Sequence, residues 1–173
     1  MRRIIQKEKQ FLLVVLLWLC PIFLNAQNEV SREINSLKGI QAMGFSVNYE
    51  ANVSLTQKGE IKITSLQQMG EQALKDGEIT LISTEELKQS DQYPLLHMHI
   101  NAMDVGRGLV PFSINLYFYQ PIKLVLNRDL RTTASTWESG TLGIASYDRL
   151  QLIPEAAEGL LNEFITDYNN INR

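Results

Sequence analysis

The strongest constraint on this chain is a strict two-residue alternation in its second half. Phe112, Ile114, Leu116 and Phe118 interleave with Ser113, Asn115, Tyr117 and Tyr119. That is the period of a strand with one face buried and the other open. Leu96, Met98, Ile100 and Ala102 repeat it against His97, His99 and Asn101. Two such strands, joined through the turn signal Gly106-Arg107-Gly108, require a sheet, and the sheet requires an apolar layer over its Leu/Ile/Phe side.

Helical periods supply that layer. Leu66, Met69, Ala73 and Leu74 fall on one face of a helix over about 64–75, with Thr64 and Gln67 spaced as a capping box. Leu150, Ile153, Ala157, Leu160 or Leu161, Phe164 and Tyr168 recur every three or four residues and predict a closing helix over about 152–168. Pro154 belongs in its first turn or at a kink. Ser83-Thr84-Glu85-Glu86 is a second capping box, heading a short helix.

The remaining apolar runs read as strands. Met43 to Tyr49 alternates, and Val53 and Leu55 extend the same parity before a turn at Lys58-Gly59. Ile79 to Ile82 is short, and Ile122, Leu124 and Leu126 continue the long strand past Pro121, which marks a bulge or an edge. Thr132 to Leu142 is the last strand, around Trp137, with Gly140 a candidate bulge. The predicted fold is α+β: an antiparallel or mixed sheet of about five strands, with the two main helices on one face.

Residues 1–26 obey different rules. Arg2, Arg3, Lys7 and Lys9 precede a run from Phe11 to Leu24 that contains no charge, and Leu24-Asn25-Ala26 closes it. This is the grammar of a secretory signal peptide cut near Ala26-Gln27. The run is too short for a spanning helix of about 20 apolar residues, and Pro21 interrupts it. Residues 27–39 are polar and read as a flexible lead-in, leaving 40–173 as a single domain. The expected product is exported, periplasmic or extracellular, with membrane contact only through the leader if it stays uncleaved.

Cleavage removes four basic residues, one glutamate and Cys20. The remainder carries 12 Lys/Arg against 18 Asp/Glu and no cysteine. Thiol nucleophiles, thiolate metal sites and disulfides are therefore excluded from the mature chain. No nucleic-acid partner is expected of a chain with no clustered basic excess.

Site motifs are sparse. His97 and His99 lie two apart on a strand and share a face, so they are the candidate metal ligands, with Asp104 or an acidic residue of a neighbouring strand as a third. The alternative is a solvated polar face. Tyr117 and Tyr119 lie opposite Phe112 and Phe118, and with Trp137, and with Tyr49 and Tyr147 if they are near, they are the candidate interaction surface. Cross-strand pairing is the simpler explanation for the aromatics. No Gly-x-Ser-x-Gly elbow, Walker pattern or dinucleotide fingerprint occurs, so neither catalysis nor a cofactor is expected.

The segments IKITSLQQMGEQALKDGEITLISTEEL, TWESGTLGI and EGLLNEFITDY resemble a family of small exported bacterial proteins of unassigned function. The order of elements is similar to that of the N-terminal domain of the TolB translocation protein and related envelope modules. The resemblance implies protein–protein contact in the envelope, with no catalytic set and no site residues to carry over.

Overall fold

The computed structural model describes residues 30–58, 61–90 and 92–173. The leader with Cys20, residues 27–29 and Gly59 lie outside the described residues. A helical segment, α1, covers 30–36. It is followed by β1 (Ala42–Ala51), α2 (Val53–Lys58), α3 (Ile63–Asp76), β2 (Thr80–Leu81), α4 (Thr84–Gln89) and β3 (Leu95–Ala102). Then come β4 (Leu109–Lys123), β5 (Arg131–Ser146), a 3-10 turn at Tyr147–Arg149 and α5 (Leu152–Asn172).

The five strands form one sheet in the order β2-β1-β3-β4-β5. β1 pairs parallel with both β2 and β3, whereas β3, β4 and β5 form an antiparallel meander. The sheet is thus mixed and the fold α+β. Helices α3 and α5 lie against the same face and bury Leu66 and Leu74 from the first, and Ile153, Ala157, Leu161 and Phe164 from the second. Opposing them are Met43 and Phe45 of β1, Leu96, Met98 and Ile100 of β3, and the four alternating apolar residues of β4. Phe164 is the hub, with its ring 5.5 Å from Phe118, 5.0 Å from Trp137 and 6.3 Å from Tyr168. Gly70 brings α3 against β1, because a Cβ there would collide with the Phe45 ring.

Several expectations change. The capping box at Thr64 does not form: α3 starts at Ile63 after Lys62 without a side-chain cap, and Gln67 donates instead to the Phe45 carbonyl (3.1 Å) and Glu71 (2.8 Å). The box at Ser83 does form, with Glu86 reaching back to the Ser83 amide at 3.0 Å. Val53 and Leu55 belong to α2 rather than to an extension of β1. Pro154 sits in the first turn of α5, where a missing N–H costs nothing.

Residues 30–39 are part of the domain rather than a lead-in to it. Leu37 is fully buried, and the end of α5 holds the segment. Asn172 donates to the Leu37 carbonyl (3.0 Å) and accepts from the Gly39 amide (2.7 Å), and the Tyr168 hydroxyl donates to the Ile40 carbonyl (2.6 Å). A polar sequence hid a seated element because most of its hydrogen bonds use the backbone, which every sequence has.

The bulge lies at neither Gly140 nor Pro121. Trp137 opposes Phe118 and Ser135 opposes Tyr119, so Thr136 is the extra residue. Pro121 is tolerated because β3 begins opposite Tyr119 and leaves that side of β4 without a strand partner. Among the described residues, no helix is long and apolar enough to cross a membrane.

Candidate functional site

The face opposite α3 and α5 carries the candidate residues. Alternation places Ser46, Asn48 and Glu50 of β1, His97, His99 and Asn101 of β3, and Asn115, Tyr117 and Tyr119 of β4 on it. Pairing register then sets rows across the sheet. Ser46, His97, Tyr117 and Glu138 form one row, and Asn48, His99, Asn115 and Gly140 form the next.

Each histidine is held by its β1 neighbour. The Ser46 hydroxyl lies 2.8 Å from His97 Nδ1, and the Asn48 amide nitrogen lies 3.2 Å from His99 Nδ1. The amide donates, so His99 Nδ1 accepts and the ring proton of neutral His99 sits on Nε2. The two imidazoles are 6.3 Å apart, and Tyr119 is 6.3 Å from His97. Burial pushes the His97 pKa down, and the neighbouring His99 charge pushes it further the same way.

This arrangement is a polar ladder rather than an assembled metal centre. Among the described residues, no group of three or more His, Cys, Asp or Glu side chains could hold an ion. Asp104, the expected third ligand, is engaged elsewhere, taking Ser54 Oγ at 2.8 Å and the Gly106 amide at 2.8 Å. Its backbone N–H and carbonyl bind the Asn52 side chain. It therefore latches the β3–β4 turn to the end of β1.

Tyr117 and Tyr119 are half-buried on this face, stacked with ring centroids 5.9 Å apart. Trp137 does not join them. It lies on the helix face, 3% exposed, with its indole N–H on Asp167 at 3.0 Å. Register explains this: Trp137 lies opposite core-facing Phe118, and the Thr136 bulge that follows in the register puts Ser135 on the other face despite its equal parity. Tyr49 also faces the core side, beside Ile100, where burial raises its pKa.

Beyond the ladder the open face turns apolar. Leu142 and Ile144 of β5 are 84% and 67% exposed, and Met103, Val105 and Leu109 are exposed beside them. A groove of about 540 Å³ runs here between Glu50, Asn101, Met103, Pro111, Ser113 and Leu142. Sequence reasoning missed this strip, because apolar alternation normally points inward. The signal was Gly143. Its missing side chain is filled by the Phe112 ring, so from Thr141 to Ala145 the small residues face the core while Leu142 and Ile144 face out. At the opposite end of the face α4 closes over β1, with the Leu87 side chain in the space left by Gly44.

No protein-family model matches the chain, and no curated protein matches it in sequence. Among solved structures, the chain is similar to a PelC dodecamer variant from Paraburkholderia phytofirmans. The similarity has a TM-score of 0.40 at 9% identity, covering 76% of this chain and 92% of that one.

Proposed function

We propose that this chain is an exported, non-enzymatic interaction module that binds a protein partner in the bacterial envelope through its open sheet face. One observation carries this reading: β4 carries half-buried Tyr117 and Tyr119, and β5 exposes Leu142 and Ile144, all on the side opposite α3 and α5. Apolar and aromatic groups beside a hydrogen-bonded polar row are the composition of a contact surface, with anchors flanked by orienting polar groups. The signal-like residues 1–26 and the likeness of element order to envelope modules support the setting. The test is mild crosslinking in envelope fractions of the producing cell, comparing wild type with Tyr117→Ala/Tyr119→Ala and with Phe164→Leu on the helix face. A discrete adduct lost in the tyrosine variant and kept in the other supports the proposal. Identical adducts in all three refute it.

A second reading has one observation of its own, the two imidazoles 6.3 Å apart on one face. They are the residues with which this protein would bind a transition metal. Binding through His99 Nε2 requires its proton to move to Nδ1 and the Asn48 amide to turn over. Calorimetric titration with zinc decides this: binding lost in His97→Ala supports a metal site, and no heat at millimolar zinc removes it.

A further inference from the structure

We infer that two copies of this chain pair antiparallel along β5, with the twofold axis at Leu142, joining their sheets into one of ten strands.

The two edges of the sheet are unequal. β2 ends one side and is two residues long, which blunts it as a template. β5 ends the other and is sixteen residues long. Its outward groups can be identified. The Met103 amide donates to the Pro111 carbonyl, and the Tyr147 amide donates to the Gly108 carbonyl, both at 3.1 Å. Along an antiparallel strand the N–H and C=O of one residue point to the same side, and successive residues alternate. Odd residues of β4 therefore bond to β3 and even ones to β5. Register pairs the even residues Val110 to Phe118 with Ala145, Gly143, Thr141, Ser139 and Trp137. The residues left pointing outward are Glu138, Gly140, Leu142, Ile144 and Ser146.

That stretch is bounded at both ends. Below it lies the Thr136 bulge, whose carbonyl is taken by Ser36 Oγ at 3.0 Å. Above it the chain leaves the sheet in the 3-10 turn at Tyr147. Among the described residues the free edge thus runs from 138 to 146, and its midpoint is Leu142.

A twofold pairing centred there uses every outward group. Leu142 opposes Leu142 of the second copy, Gly140 opposes Ile144, and Glu138 opposes Ser146. Gly140 has no side chain to obstruct the branched Ile144, and Glu138 lies opposite Ser146, whose hydroxyl is bonded to Asp148, rather than opposite its own copy. Leu142 at the axis and Ile144 next to it on the same face are the two large apolar side chains this strand exposes. From 138 to 146 there is neither Lys nor Pro, the residues that usually protect an edge. A strand from an unrelated protein could satisfy the same backbone groups. Only the chain's own β5 explains why the free stretch is centred on an exposed leucine. The pairing goes beyond the open-face proposal and stands without it, since a monomer would leave that face available to a partner.

Sedimentation equilibrium of the full chain from about 1 µM to 500 µM tests the pairing. The expected result is a reversible dimer, with Leu142→Lys weakening it at least about tenfold by placing like charges opposite each other. Register is tested in a Cys20→Ser background. Leu142→Cys pairs Cα atoms about 5.5 Å apart and forms an intermolecular disulfide. Ile144→Cys, with its copies about 14 Å apart, does not. A monomer at every concentration, a dimer indifferent to Leu142→Lys, or bridging at 144 rather than 142 overturns the proposal.

Discussion

The two faces of the sheet begin from the same period-two alternation and end differently. On the helix side, Phe118, Phe164, Leu116 and Ile114 are buried together without a polar or charged residue among them. On the other side, the same strands present Ser46, His97 and Tyr117 in one row and exposed Leu142 and Ile144 further along. Burial on the first face is what stabilises the fold. Side chains on the second are paired mainly with one another or with solvent, so they are free to be selected for contact. The difference teaches that alternation fixes which residues share a face and not which face the helices take.

Variants on the two faces should separate stability from association, and the largest effect belongs to the helix side. Phe164→Ala removes the ring that joins Phe118, Trp137 and Tyr168, and should cost about 3–5 kcal/mol in chemical denaturation. Trp137→Phe keeps most of the packing but leaves Asp167 without its indole donor, for a loss of about 1–2 kcal/mol. If instead it abolished partner crosslinking at unchanged stability, Trp137 would belong to the binding surface after all. Tyr117→Ala/Tyr119→Ala removes a stacked pair from the open face. It should lower stability by less than about 2 kcal/mol while removing the crosslinked adduct. A loss as large as that of Phe164→Ala would erase the distinction between the faces.

The smallest effect concerns pH. The His97 pKa is lowered in the fold by burial and then by His99. The unfolded chain therefore binds the proton more readily, and the stabilising contribution is present above the unfolded value of about 6.5. It is lost as pH falls through the folded value. Denaturation midpoints should drop between pH 7.5 and pH 5.5, and His97→Gln should flatten that drop.

Much of the covered face was legible, because strands and helices with strong periods bury their apolar residues in predictable sets. β3, β4 and α5 follow their patterns through Leu96 to Ala102, Phe112 to Phe118 and Ile153 to Tyr168. What escaped was set by tertiary context. Val53 and Leu55 alternate like a strand, but six residues are too few to tell the two periods apart, and the segment folds as α2. Trp137, expected on the surface, lies in the core because it pairs with Phe118, and the inserted Thr136 turns only the residues before it to the other face. Residues 30–39 looked unstructured because their anchors are Leu37 and backbone groups held by Asn172, with Tyr168 on the adjoining Ile40 carbonyl. The pairing of His97 with Ser46 and His99 with Asn48 depends on a parallel register that no local pattern reveals.

The most direct test of the contrast combines Tyr119→Ser, Leu142→Ser and Ile144→Ser in one protein and measures crosslinked partners in envelope fractions, with denaturation of the same sample as control. An interaction face predicts loss of every adduct with stability changed by no more than about 2 kcal/mol. Retention of the wild-type adducts would contradict it, as would unfolding of the variant, since either result would mean that this face serves the fold and not a partner.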